Sequence, residues 1–363
     1  TTQGGGVSVA SDSSLKVYDS IVGACKSMYG GGMYSDGCPI RVARSTLTGN
    51  SVFKGGYGGG VFLTKEALFH VSGGTALVGN RATKGGGVFV EYQSRFILQA
   101  SHLRENEASY DGGGAYVNAA QMTAEGGSVV EKNMAVDEGG GINVQNGGNI
   151  TIRETTFREN NVGGKEETGS GLGSIVMFGR STSGSFASCE FVDNHALTTG
   201  GVYATEANIH VHNCTFAGNR ASDGAGLLLA RTSMATITKS HWRDNTALRN
   251  GGAILVRGEV IARFSDCVVG PRNHAKEGGG GGVLFDKLAR VSFMDTRIHG
   301  NTADYGGGLC AKGKSRIELN ANTEVDSNRA REGGGMWIGD QSGLVARKPC
   351  VFTEIGRASC RER

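Results

Sequence analysis

Proline is scarce in this chain, three in 363 residues, and no long polar linker interrupts it. One continuous domain over residues 1–353 is therefore expected. Long hydrophobic runs are lacking as well: none approaches the ~18 residues that span a bilayer as a helix. No window of about ten residues carries the 3.6-residue apolar period of an amphipathic helix. An excess of one charge is also missing. The 37 basic and 34 acidic side chains leave +3 at pH 7, spread over the whole length, where a nucleic-acid partner favours a basic stripe. No CxxC pair or CxxC…HxxxH spacing offers structural zinc. No GxxxxGK[ST] loop offers a phosphate cradle, and no GGxGxDxUx nonapeptide offers calcium. No cofactor is expected.

Glycine is abundant, with 62 copies, and most of it falls into a repeat. Gly-Gly-Gly-apolar returns about every 27 residues, at Gly4–Val7, Gly30–Met33, Gly58–Val61, Gly85–Val88, Gly112–Ala115, Gly139–Ile142, Gly306–Leu309 and Gly333–Met336. A second phrase precedes each cluster, an apolar residue with Asn three positions on, as in Phe157 to Asn160, Phe191 to Asn194, Phe216 to Asn219 and Trp242 to Asn245. Aliphatic versions run from Leu47 to Asn50, Leu77 to Asn80 and Leu103 to Asn106. Repeats of this length build solenoids, arrays or propellers, whose units bury their apolar faces only by stacking. Short period-2 stretches rich in Val, Ile, Phe and Thr lie between the turn residues. The period is too short for a propeller blade, and the Leu frame of leucine-rich repeats is absent. The fold expected is all-β: a right-handed parallel β-helix, pectate-lyase-like, of about 12 coils with three short strands each.

The repeat also assigns faces. The first and third residues after a glycine cluster are apolar, as in Val61 and Leu63, Val88 and Val90, or Met336 and Ile338, and point inward because strand side chains alternate. Two residues before the Phe-type position stands a small residue: Ser45, Thr75, Ser101, Thr155, Cys189, Cys214, Ser240, Cys267, Thr296 or Thr323. Stacked, these form an internal column in which cysteine packs as a small buried group. A Cys189–Cys214 bridge between adjacent coils and a Cys25–Cys38 bridge across a glycine turn are the alternatives. The Asn column is read as structural, since an amide both donates and accepts.

Between the two inward residues lies one expected to face solvent. Its occupants are Ser8, Tyr34, Phe62, Phe89, Tyr116, Asn143, Tyr203, Leu228, Ile254, Leu284, Cys310 and Trp337. An exposed apolar ladder marks an interaction surface. Tyr34, Phe62, Phe89, Tyr116, Tyr203 and Trp337 are thus the candidate binding residues, against the simpler reading that strands favour aromatics.

Catalysis on a polysaccharide needs carboxylates converging on one face. Glu159 and Asp193, with Glu105 and Asp244 at equivalent turn positions, are the candidates. Gly49, Gly79, Lys132 and Gly218 occupy the same position in other coils, which is the pattern of a solvated turn. None of the Asn-Thr-Asp, Asp-Asp or Gly-His-Gly motifs of polygalacturonase-like enzymes is found, so a non-enzyme is expected. His210 and His212 alternate onto one outer face as a two-ligand metal candidate, but Thr236 and Thr238 follow in the next coil. Asn149-Ile-Thr151 and Asn213-Cys-Thr215 are glycosylation sequons only if the chain enters a eukaryotic secretory route.

Together GG[AILV] and FxxN, in phase over residues 4 to 340, resemble the repeat of the chlamydial polymorphic outer membrane proteins. The resemblance implies a surface-exposed autotransporter passenger folded as a right-handed parallel β-helix, working in adhesion or display at the cell surface or outside the cell. Its partners would be proteins or glycans of a cell surface or matrix. The family's membrane barrel and signal peptide are not in this sequence. Similar repeats occur in large surface or secreted proteins of protists. A carbohydrate-active enzyme and a purely structural spacer are the competing classes. The segment Val162 to Gly173 reads as a protruding loop. Glu354 to Arg363 is similar to translated sequencing-adapter read-through and is left out of the fold. A start without Met, mid-coil, points to a fragment of a longer protein.

Overall fold

The computed structural model describes residues 2–163, 171–347 and 350–353. The tail and the centre of the Val162–Gly173 segment lie outside the described residues. Every regular element is a short strand, and every pairing is parallel to the equivalent strand one coil away. The coils are thirteen in all, close to the dozen expected, and fall into two compact units, Thr1–Ser185 and Phe186–Arg363.

One turn of the first unit shows how the repeat maps onto structure. Val61–Thr64 belongs to a first sheet, Leu68–Ser72 to a second, Ala76–Val78 to a third and Arg81–Ala82 to a fourth. Three strands per coil were expected and four are present. The fourth is the Asn-x-Ala segment, often two residues long, too short to display a period. The second unit repeats the arrangement, for example in Leu227–Ala230, Met234–Thr238, His241–Arg243 and Thr246–Asn250.

The glycine cluster turns the chain from the fourth sheet into the next copy of the first. Gly58 sits at φ +66°, and a Cβ on Gly59 would run into the carbonyl oxygens of Gly86 and Arg81. One position needs the left-handed region and the next needs backbone approaching backbone, so only glycine serves both.

Inside the coil the expected alternation holds. Val61 and Leu63, Val88 and Val90, and Ile142 and Val144 are fully buried, as are the Phe-x-x-Asn aromatics Phe157, Phe191, Phe216 and Trp242. In the second unit Phe216 stacks on Phe191 at 4.6 Å and on Trp242 at 5.1 Å. The exceptions lie in the end coils: Val7 and Met336 are half-buried and Ile338 is exposed, each in a strand with a neighbour on one side only among the described residues.

Two polar columns run through this interior. Asn80 Nδ2 donates to Asn106 Oδ1 at 2.9 Å and to the Leu47 carbonyl at 3.0 Å. Its backbone N–H also donates to Asn106 Oδ1, at 3.0 Å. The same bonds link Asn50, Asn80, Asn106, Asn133 and Asn160 in the first unit. They link Asn194, Asn219, Asn245, Asn273, Asn301 and Asn328 in the second. In the small-residue column the hydroxyls donate to the carbonyl two or three residues back, and those of Ser45, Thr75, Ser240 and Thr296 also accept the N–H of the preceding coil. Thr75 does so with Ser72 at 2.7 Å and Ser45 at 3.2 Å.

Cys189, Cys214 and Cys267 occupy that column buried, as free thiols, their Sγ donating to the carbonyls of Ala187, His212 and Ser265 as the serines do. Cys25 and Cys38 are free as well, so neither candidate bridge is present. Cys25 stands at the asparagine position, its N–H donating to Asn50 Oδ1 at 3.1 Å. Burial pushes the Cys267 thiol up to about 11, which leaves it protonated and inert.

Candidate recognition surfaces

The ladder expected at the surface is a second small core. Tyr34, Phe62, Phe89 and Tyr116 are 6%, 5%, 3% and 5% exposed. They point away from the coil interior, since Val61 and Leu63 flank Phe62 on the other face, yet something covers them. Phe62 and Phe89 stack at 5.1 Å, and Phe89 and Tyr116 at 5.0 Å. The cover is the residue just before each glycine cluster. Tyr29 tilts over Phe62 at 5.3 Å, Tyr57 stacks on Phe89 at 5.0 Å, and the Lys84 ammonium lies 4.9 Å from the Tyr116 ring centre. The chain turns sharply there, from fourth sheet to first, and folds its pre-glycine side chains over the outward face.

Tyr57, Lys84, Asp111 and Glu138 are successive members of this covering column, Tyr57 bridged to Lys84 and Asp111 to Glu138. Where the cover changes from aromatic to charged, a polar cluster forms. Lys84 Nζ pairs with Asp111 Oδ2 at 2.7 Å. Tyr116 Oη donates to Gln145 Oε1 at 2.9 Å, and Gln145 and Asn143 each donate to Glu138 Oε2 at 3.1 Å. Asn143 Oδ1 is buried without a partner. Burial holds both Asp111 and Glu138 above the ordinary carboxylate range, outweighing Lys84 for the first and the Asn143 amide for the second. The Tyr116 phenol is raised by the same burial. Burial alone would lower Lys84, but its bonds to Asp111 and Tyr116 leave it raised.

In the second unit the equivalent strip is aliphatic: Leu228, Leu255, Leu284 and Cys310, with Tyr203 and Trp337 half-buried against it. Here a register expectation fails by one residue. Leu255, not Ile254, pairs with Leu228, because Ala253 stands in the place of the third glycine and Ile254 is the first strand residue, as Val61 is after Gly60. Tyr305, again just before a glycine cluster, lies edge-on to Trp337 at 6.0 Å. Of the six ladder residues, four are closed off and two are partly open.

The candidate acids occupy one repeated turn position. Glu105, Glu159, Asp193 and Asp244 all sit at φ between +53° and +60°, at the turn between third and fourth sheets. The glycines at this position, Gly49, Gly79 and Gly218, take the same left-handed conformation. Glu159 pairs with Lys132 at 3.8 Å, and Asp244 with Arg272 at 2.5 Å and Arg243 at 3.2 Å. Position in the turn explains them as acids on a solvated corner. His210 and His212 are exposed on Asn208–His212, and His212 Nδ1 meets Thr238 Oγ1 at 2.8 Å. No group of three metal-ligating side chains occurs among the described residues.

The covering column was not read from the sequence. Its signal is the aromatic or charged residue before each cluster, Tyr29, Tyr57, Lys84, Asp111 and Glu138, a position to which the repeat pattern assigns no face.

Residues 76–246 match the family described as a right-handed beta helix region. No curated protein and no solved structure matches the chain. Four parallel sheets, coil-to-coil pairing throughout and this family match make the chain a right-handed parallel β-helix.

Proposed function

We propose that this chain is a non-enzymatic scaffold, displayed at a cell surface or secreted, whose outer faces serve adhesion or recognition of a protein or glycan. One observation carries the reading. Residue types are repeated coil after coil for packing and hydrogen bonding, as in the Asn column, while chemistry requires a local exception. Such a repeat lets outward residues vary from coil to coil without disturbing the core. The resemblance to the polymorphic outer membrane protein repeat supports the same reading and the location outside the cell. Because the aromatic ladder is covered, recognition falls to the outward residues of the other sheets and to the turns.

A polysaccharide-acting enzyme is the second reading, and the Lys84, Asp111, Tyr116 and Glu138 cluster favours it. There an ammonium, two carboxyls with raised pKa and a phenol come together. Tyr116 is 5% exposed and Asp111 6%, so substrate would have to displace the cover first.

The discriminating experiment is to place the purified chain on arrays of matrix proteins and glycans while monitoring the glycans for cleavage. Retention without product is the result expected. Turnover of an arrayed glycan that disappears in Glu138→Gln would replace the scaffold reading with the enzyme, and no retention on any surface would leave a spacer.

A further inference from the structure

Neighbouring coils of this protein usually set opposite charges side by side. Arg81 and Glu107, Glu131 and Arg158, and Arg257 and Asp286 are register partners on adjacent strands. Their ion pairs measure 3.1, 2.6 and 3.1 Å. The outer face of the second sheet in the second unit breaks this habit. Ile261–Ser265, Arg290–Met294, Arg316–Leu319 and Gly343–Ala346 stack in parallel, and their first residues pair in one column. Arg290 and Arg316 are therefore direct neighbours, leaving the sheet ~4.8 Å apart. Lys314 stands two residues before Arg316. All three cations are exposed, and among the described residues none makes an ion pair. Like charges directly opposite on a sheet destabilise it.

The three line a groove of about 660 Å³, completed by Glu259, Ile261, Leu288, Gln341 and Gly343. Its floor crosses four coils, so it runs along the coil axis. Gly343 keeps one end open, with nothing within 4 Å of where a Cβ would stand. Ile261 and Leu288 are 39% and 47% exposed.

We propose that this groove binds an anionic polysaccharide, carboxylated or sulfated, laid along the axis with its acidic groups on Arg290, Arg316 and Lys314. Planar guanidinium forks take carboxylate or sulfate oxygens two at a time. Ile261 and Leu288 offer apolar contact to sugar-ring faces, and Gln341 meets hydroxyls. An acidic peptide fits less well, because the Arg290 and Arg316 strands are already paired on both sides and present no free edge for strand addition. Single-stranded nucleic acid needs aromatic platforms for its bases, and the groove has none. This inference rests on the recognition role proposed above and names its ligand class.

The test uses the whole chain. Titration with heparin, polygalacturonate and neutral dextran in increasing NaCl is compared for wild type, R290E/R316E, and a distant charge reversal, K54E/R153E. Binding to at least one acidic polymer, weakening with salt, falling about tenfold or more in R290E/R316E and unchanged in K54E/R153E, is the result expected. Which polymer binds separates carboxylate from sulfate recognition. R290Q/R316Q guards against misfolding: it should unfold at a temperature no lower than wild type, yet lose the polymer. Equal loss in both charge reversals, equal binding of dextran, or full competition by single-stranded DNA would overturn the assignment. So would binding of neither acidic polymer; if other surfaces still retain the chain, the recognition role survives, and if none does, both fall.

Discussion

Tyr57 lies parallel to Phe89, ring centroids 5.0 Å apart and planes within 13°, and the pair closes an aromatic core on the outside of the coil. The consequence is that the ladder contributes to stability. Phe89→Ser should cost about 3–5 kcal/mol, the range for a fully buried aromatic. Tyr57→Ala, removing half-buried cover, should cost about 1–2 kcal/mol and increase binding of an apolar dye. Urea unfolding of the two variants checks the order. A Phe89→Ser protein as stable as wild type would mean that the outer core is not packed in solution.

The Asn106 side chain takes part in four hydrogen bonds within the interior, accepting two from Asn80 and donating to Leu77 and Asn133. Asn106→Leu fills the space but leaves the Asn80 N–H and amide without their acceptor. Each orphaned buried group costs about 1–3 kcal/mol, so a loss of at least 2 kcal/mol is expected. The midpoint of chemical denaturation measures it.

Glu159 offers the opposite test. A left-handed conformation costs a non-glycine residue about 1–2 kcal/mol, while glycine loses about 0.5–1 kcal/mol to backbone entropy and the exposed pair with Lys132 is worth at most about 1. These offset, so Glu159→Gly should be within about 1 kcal/mol of wild type, with binding to any arrayed partner unchanged. A selective loss of function in the folded variant would restore Glu159 as a site residue.

Protonation should tune the Lys84–Glu138 cluster in a definite direction. Glu138 and Asp111 have folded pKa values raised by burial, so the native state holds protons that the unfolded chain releases first. Their contribution to stability is fully present below the ordinary carboxylate range and is lost as pH rises from there through the raised values. Asp244, held down by Arg272 and then Arg243, works the other way, its contribution disappearing as pH falls below the ordinary range. Unfolding temperatures from pH 4 to 7 for wild type and Glu138→Gln should therefore diverge, the variant losing less stability on going up. Parallel curves would mean that Glu138 is not buried as described.

What was legible in the sequence followed from repetition. Val61 and Leu63 announce an inward face, and Asn80, Asn106 and Asn133 announce a column, because a position occupied alike in every coil needs no third dimension to be recognised. The fourth sheet escaped because Arg81–Ala82 is too short for any period. The burial of Phe62 and Phe89 escaped for a different reason: alternation says which way a side chain points, and Tyr29 and Tyr57 lie over it only because the corner brings them there. Substituting Ala253 for glycine shifted the reading of Ile254 and Leu255 by one. Arg290 and Arg316, 26 residues apart, become neighbours only once the register between coils is known.

The Asn column has a direction. Each side-chain oxygen receives protons from the asparagine of the coil before, while each side-chain nitrogen gives one proton to the next coil's asparagine and one back to a carbonyl of the preceding coil, and the joint between Asn80 and Asn106 is chemically the same as that between Asn219 and Asn245. Any coil can therefore follow any other, provided that it arrives whole and the right way round. Gene segments encoding complete turns can be duplicated or deleted without breaking the seam, whereas a partial turn cannot, so the length of such a protein is quantised.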